Sequence, residues 1–336
     1  MNKYLWTLKD LKNISSNKLK VMSTFACGGG STMGYKLAGY DVIAANDIDP
    51  EMAWHYKKNL DPKYYFLCPI KNLIEKKLPD ELYELDILDG SPPCTTFSIS
   101  GKREETWGKE KYFREGNTKQ VLSDLFFEYL DLAEKLKPKV VVAENVKGML
   151  FGNAVGYVKL IINKLSQIGY RTQIFVVNAA DCGVPQRRER IIFCAVRNEL
   201  NVPKLILKPK CKWIGVEEAT KDCKPGETKF GKVAEKFWHR TKPGDPFSKA
   251  ANGKYFNTKK LHPKKPANTL TSSDDKYHWK EPRTLNVNEW KRIGSFPDDY
   301  IFRSDSIGKY IIGMSVPPRM MKVIADAIKN QWLIVK

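Results

Sequence analysis

Residues 20–47 read KVMSTFACGGGSTMGYKLAGYDVIAAND, and their order decides the fold. An apolar strand over 20–25 runs into a glycine-rich turn at 26–31. A helix starts at Ser31 or Thr32, either of which can cap it, and a second apolar strand occupies 40–47. Strand, tight turn, helix and strand at this spacing open a parallel sheet. The first turn lets backbone approach a ligand closely and aims helix N–H groups at it. The same alternation continues outward: a helix over 51–59, a strand over 86–89, and a helix over 122–136 with Leu125, Phe126, Tyr129, Leu130, Ala133 and Leu136 at helical spacing. A buried strand at 140–144, a helix at 155–168 and strands at 170–178 and 190–196 complete the series. The class is therefore α/β, a doubly wound, mostly parallel sheet with helices on both faces.

After Val196 the composition changes. Pro, Lys, Gly and Thr become frequent around isolated aromatics (Trp213, Phe230, Phe237, Trp238, Tyr255, Phe256), and no long periodic segment appears until an amphipathic helix over 316–332. A second, smaller, irregular and basic domain is expected there. The whole chain carries 57 Lys and Arg against 38 Asp and Glu, a net charge of +19, and residues 201–282 alone hold 19 cations against 9 acids. A polyanion, nucleic acid first, is the expected partner. Most aromatics of this lobe are expected to form its small core rather than stacking platforms. No apolar run approaches the ~20 residues of a membrane span. The first ten residues lack the apolar block of a secretory signal, and seven cysteines without regular spacing fit a reducing compartment. A cytoplasmic protein without a membrane partner is expected. Cys211, Cys223, His239 and His262 lack metal-ligand spacing, so no metal is expected.

Chemistry-bearing residues cluster at strand ends. The glycines at 28–30 miss the dinucleotide pattern, whose sixth place falls on Met33, which argues against a nicotinamide cofactor. Asp47, ending the second strand, can take both hydroxyls of a ribose, so turn and acid together suit a nucleoside cofactor without a pyrophosphate, such as S-adenosylmethionine. Residues 91–103 read SPPCTTFSISGKR, placing Cys94 just past a buried strand, stiffened by two prolines and followed by a hydroxyl-rich basic stretch, a position suited to a nucleophile. Glu144 ends a buried strand, residues 186–190 (QRRER) precede another, and residues 313–317 (GMSVP) open the last helix.

Taken in order, residues 25–30 (FACGGG), 92–98 (PPCTTFS), 144–146 (ENV), 186–190 (QRRER), 268–271 (NTLT) and 313–317 (GMSVP) resemble the DNA (cytosine-5) methyltransferases, including bacterial and phage modification enzymes. The resemblance covers 20–197 and 265–330. It implies an S-adenosylmethionine-dependent, Rossmann-like methyltransferase fold, with a catalytic domain of 1–197 plus 305–336, a target-recognition domain of 198–282 and a connecting segment of 283–304. By the same resemblance Cys94 adds to carbon 6 of a flipped-out cytosine, Glu144 serves ring nitrogen 3, Arg190 holds the base carbonyl oxygen and the neighbouring carboxylate, and Arg188 supports them. Phe25, Ala26, Gly28, Gly30, Asp47, Ile48, Pro93, Leu125 and Ser315 match methyl-donor contacts. Ser98, Ser100, Lys102 and Arg103 match a loop that closes on DNA. The implied partner is duplex DNA, with the protein acting as a monomer; whether a cognate restriction endonuclease acts separately beside it stays open.

Four positions depart from the family pattern: Cys27 and Met314 stand where glycine and asparagine are usual, Thr95 follows the nucleophile in place of glutamine, and residues 68–70 (CPI) lack an acid for the adenine amino group. Two other readings share the fold: a transfer RNA cytosine-5 methyltransferase, and a DNA-binding protein without turnover. Length, charge and the separable basic lobe favour DNA, and the intact Cys94, Glu144 and Arg190 favour turnover.

Overall fold

The structure, a computed structural model, describes residues 5–93, 110–112, 119–121, 125–152, 154–255, 258–272 and 276–334. Cys94, Thr95, Ser98, Ser100, Lys102 and Arg103 lie outside the described residues. By contacts the chain divides into two compact units. One gathers Ile14–Val177, Glu189–Lys208 and Met321–Lys336; the other gathers Met1–Asn13, Asn178–Arg188 and Pro209–Met320.

The first unit is built on a seven-stranded sheet: β1 (Lys20–Thr24), β2 (Asp41–Asp47), β3 (Tyr64–Leu67), β4 (Ile87–Gly90), β5 (Val140–Val146), β6 (Tyr170–Asn178) and β7 (Glu189–Arg197). Its order is β3-β2-β1-β4-β5-β7-β6. The pairs β2/β3, β1/β2, β1/β4 and β4/β5 are parallel, and β5/β7 is antiparallel. The order reverses between β1 and β4, and such a switch point leaves a crevice at the carboxyl ends of the strands where ligands bind.

Helices α1 (Gly30–Leu37), α2 (Pro50–Leu60), α3 (Ile70–Glu75), α4 (Leu125–Leu136) and α5 (Ala154–Gln167) belong to the same unit. One sheet face presents Met22, Leu88, Val141, Ala143, Ile191 and Phe193 to a core shared with Leu125, Phe126, Tyr129 and Leu130 of α4 and Val158 and Ile161 of α5. Each such side chain, fully buried, contributes roughly 2 kcal/mol, so this face is the rigid frame. The Tyr129 hydroxyl bonds the carbonyls of Leu88 and Val142, both at 2.8 Å, tying α4 across β4 and β5. Because side chains alternate along a strand, Ser23, Asp89, Val142 and Glu144 point to the opposite face. The chain's last segment returns to this unit, where Tyr40 donates to the Ala325 carbonyl at 3.0 Å and Lys329 to that of Ala38 at 2.8 Å.

The second unit holds α6 (Val216–Thr220), α7 (Val287–Ile293), α8 (Asp305–Met314) and the start of α9 (Pro318–Ile328). As expected for a basic lobe with a small core, Trp238, Phe247, Tyr277 and Ala234 cluster, with Phe230 and Phe237 packed against them, while Trp213 and Tyr255 stay exposed. Lys260 caps this core with its ammonium 3.5 Å from the centre of the Trp238 ring. By contacts, residues 209–320 group with the basic segment. Asn286 and Glu289 form a reciprocal capping box that fixes α7. A Cβ on Gly294 would stand 2.5 Å from Ile312, and one on Gly308 2.6 Å from Val287, so α7 and α8 pack closely against each other. Among the described residues no helix is long and apolar enough to cross a membrane, and no three side chains form a metal-binding group.

Candidate active site

The turn after β1 is wound in an unusual backbone conformation. Phe25, Cys27 and Gly29 have φ of 51°, 47° and 78°. Glycine meets this freely, but each non-glycine residue there costs about 1–2 kcal/mol. Gly29 is required twice over, since a Cβ would lie 2.1 Å from Leu60 Cδ1. The sequence motif singled out Gly28 and Gly30, both buried, and missed Gly29, whose need arises from a helix thirty residues away. Cys27, which stands where the family pattern has glycine, sits in that conformation too.

Three bonds hold the turn. Ala26 N–H donates to the Asn46 carbonyl at 3.0 Å, Gly29 N–H to the Ala26 carbonyl at 2.8 Å, and Cys27 N–H to Asp47 Oδ2 at 2.7 Å. Asp47 Oδ1 accepts the Asp49 N–H at 3.0 Å. Burial pushes the Asp47 carboxyl up to about 6 against the pull of these backbone donors. Capping of α2 falls to Asp49, which accepts Glu51 N–H at 2.8 Å ahead of Pro50, so Asp47 is not spent as a helix cap. Phe25 packs edge-on to Tyr129 with ring centres 6.5 Å apart, Leu125 belongs to the same core, and Ile48 is half-buried beyond Asp47.

At the ends of β4 and β5 lies the second group. Glu144 is 8% exposed. Arg190, on the antiparallel strand β7, donates from Nε to Glu144 Oε1 at 2.8 Å and from Nη1 to the Glu189 carbonyl at 2.8 Å. Asn145 Nδ2 donates to the Pro92 carbonyl at 3.1 Å while its Oδ1 accepts Val146 N–H. Asn145 thus ties the ENV segment to the proline pair that leads to Cys94, a role invisible in the sequence because it joins residues 53 apart. The first unit therefore holds Phe25, Ala26, Gly28, Gly30, Asp47, Ile48, Pro93, Leu125, Glu144 and Arg190 on the carboxyl-end side of its strands or in the helices beside them.

Arg188 and Ser315 belong to the other unit. Arg188 is 3% exposed and its Nη1 donates to the carbonyls of Leu270 and Gly313, both at 3.0 Å. Gln186 Oε1 accepts Leu270 N–H at 3.0 Å, and Thr269 Oγ1 donates to the Arg187 carbonyl at 2.9 Å. One guanidinium therefore braces the 186–190, 268–271 and 313–317 segments together. A Cβ on Gly313 would meet Ser272 N at 2.6 Å, which explains the glycine. Ser315 is 5% exposed and its Oγ has no hydrogen-bond partner; next to it Met314 is exposed. Within the first unit, the glycine turn and Asp47 are the donor and acceptor set that the nucleoside part of a cofactor would use, so the residues present there fit S-adenosylmethionine. A cavity of about 510 Å³ in the same unit, bordered by His278, Trp279, Arg283 and Glu289, contains none of these segments.

The profile of the family described as C-5 cytosine-specific DNA methylase matches residues 19–330. Among similar proteins, the type II methyltransferase M.FnuDI of Fusobacterium nucleatum is 29% identical, covering 93% of this chain and 94% of that protein. M.NgoFVII of Neisseria gonorrhoeae is 28% identical over 94% and 88% of the two chains. A solved structure described as a DNA modification methyltransferase encoded within an E. coli prophage superposes with a TM-score of 0.70 at 21% identity, over 94% of this chain and 99% of that one. A DNMT2 variant from Spodoptera frugiperda gives 0.66 at 16% identity, over 93% and 100%. Both structural likenesses bear on the fold alone.

Proposed function

The chain belongs to the C-5 cytosine-specific DNA methylases, and from that premise we propose what its residues do. The protein is a DNA cytosine-5 methyltransferase. Carbon 5 of cytosine is a poor nucleophile until a group adds to carbon 6. Cys94, directly after Pro93, is that group: its thiolate bonds carbon 6 and shifts electron density to carbon 5. Glu144 hydrogen-bonds ring nitrogen 3 and offsets the charge that builds on the ring. Arg190 holds the Glu144 carboxylate through Nε and offers guanidinium N–H groups to the base carbonyl oxygen. Arg188 touches none of the reacting atoms in this reading; it is a positioning residue that keeps its three segments in register.

S-adenosylmethionine bound at the β1 turn supplies an electrophilic methyl carbon. Asp47 takes the ribose hydroxyls, Phe25, Ala26, Gly28, Gly30, Ile48, Pro93 and Leu125 line the rest, and Ser315 is a further donor contact by its match to the family pattern. Loss of the carbon-5 proton and elimination of Cys94 restore the ring. Reaching a base in a duplex requires swinging it out; Ser98, Ser100, Lys102 and Arg103 meet the phosphates around it. The segment 198–282 supplies target recognition, its lysines neutralising the backbone. The protein acts as a monomer in the cytoplasm of a bacterial or phage-infected cell.

The observation that carries this reading is the Glu144–Arg190 pair at 2.8 Å, set beside the anchored prolines that lead to Cys94. The test is expression in a methylation-free host with genome-wide mapping of modified cytosines, and a parallel assay on bulk transfer RNA. Methylcytosine at one recurrent DNA site, absent for Cys94→Ala, is expected. Methylation of transfer RNA alone, or activity surviving Cys94→Ala, overturns it.

A further inference from the structure

Asp89 is a carboxylate in the middle of the sheet, 1% exposed, in a strand (Ile87-Leu88-Asp89-Gly90) that is otherwise apolar. It lies in register with Ser23 of β1 and Val142 of β5, on the face that also carries Glu144 one rung further along. Oδ2 accepts the Ser23 hydroxyl at 2.9 Å, and Oδ1 accepts the Tyr35 hydroxyl of α1 at 3.2 Å. Thr24 Oγ1 donates to its carbonyl at 3.0 Å. Ser31, on the first turn of α1, is 7% exposed and its hydroxyl faces this carboxylate. The other titratable groups facing this carboxylate are Tyr56 of α2, Tyr129 of α4 and Glu144 of β5, with Cys194 of β7 beside Tyr35. None of them is a cation, and among the described residues Asp89 forms no ion pair.

An uncompensated buried carboxylate is expensive, and an apolar residue would be more stable in its place. The position has a consequence for charge. Phe25 follows Ser23 by two residues, just past the end of β1, and Pro93 follows Asp89 by four; both are contacts of the methyl-donor site proposed above, on which this inference rests. The donor carries a permanent positive charge on sulfur, whereas the product left after transfer is a neutral thioether. We propose that Asp89 is the buried counter-charge of the cofactor site, favouring the sulfonium donor over its neutral product and so easing product exchange.

Burial, opposed by the Ser23, Ser31 and Tyr35 hydroxyls and reinforced by Glu144, raises the Asp89 carboxyl to about 7. The three facing tyrosines and Cys194 are all held above their usual ranges by burial and stay neutral near pH 7. The preference for donor over product should therefore grow as pH rises through 7.

The test is calorimetric titration of the full chain with S-adenosylmethionine and with S-adenosylhomocysteine at pH 6.0 and 8.5. The ratio of the two affinities should move toward the donor by on the order of tenfold, the scale of a partly screened unit charge inside a protein. Asp89→Asn should flatten the ratio, whereas Glu144→Gln, which removes one charge that raises the Asp89 carboxyl, should keep a pH dependence shifted to lower pH. Comparing variants removes the titration of the ligands' own amino groups. A pH-independent ratio in the unaltered protein overturns the proposal without any variant, and so does an Asp89→Asn protein that keeps the wild-type dependence. Failure of both ligands to bind the unaltered protein overturns the cofactor reading itself, and this inference with it.

Discussion

Two carboxylates share one face of the sheet and are treated in opposite ways. Glu144, at the end of β5, has a guanidinium 2.8 Å away. Asp89, one rung inward on β4, has only hydroxyls. The first is a carboxyl oriented by a guanidinium; burial resists ionisation of the second, and hydroxyls only soften that cost. The difference shows how a single sheet can hold one acid oriented for a substrate and another whose ionisation depends on the solution outside.

The comparison breaks most visibly if the guanidinium is removed. Arg190→Ala turns Glu144 into a second uncompensated carboxylate, and a steady-state methylation assay should show a loss of roughly 10²–10⁴, the range of a mispositioned acid–base group. Arg190→Lys should recover little, because an ammonium cannot keep one N–H on the carboxylate while offering a planar fork to the base. Wild-type rates in Arg190→Ala would mean that the pair is structural.

Asp89→Asn is the next largest test, read as stability against pH. The folded-state value of about 7 exceeds the ordinary 3.8. The folded protein therefore binds this proton more tightly, and the associated stability is complete below pH ~4 and lost as pH rises to ~7. Over that window the term amounts to at most about 4 kcal/mol. Urea midpoints of Asp89→Asn between pH 5 and 8 should fall less steeply than those of the parent; parallel curves would show that Asp89 does not titrate there. A finer probe is Tyr35→Phe, which deletes one of the two hydroxyl donors. It should lower stability at pH 8 by about 1 kcal/mol and by less at pH 5.5, where the carboxyl is protonated. An equal loss at both values would reduce the contact to packing.

Most of the sheet was legible because its strands are apolar runs of β-branched residues: β1, β2, β4, β5, β6 and β7 lie within one or two residues of where the pattern put them. β3 was missed because its four residues, Tyr-Tyr-Phe-Leu, lie half-buried or exposed and give no contrast to read. α8 was missed because Gly308 and Gly313 interrupt its pattern, although both glycines are there to admit close neighbours. In the site, Glu144 and Arg190 were expected to meet, and they do. Arg188 as a brace, Asn145 as an anchor and Gly29 as the indispensable glycine emerged only from contacts with residues distant in sequence. Asp89 passed unnoticed because a single acid in a short strand looks like a strand end until its exposure is known.

The central claim is a transient bond between Cys94 and carbon 6 of cytosine, and it can be caught directly. The protein is incubated with S-adenosylmethionine and DNA in which cytosines within the mapped site carry fluorine at carbon 5, then digested and analysed by peptide mass spectrometry. A stable nucleotide adduct on the peptide containing Cys94, lost in Cys94→Ala, is the predicted result. An adduct on another cysteine, or none from a preparation that methylates ordinary DNA, would contradict the account.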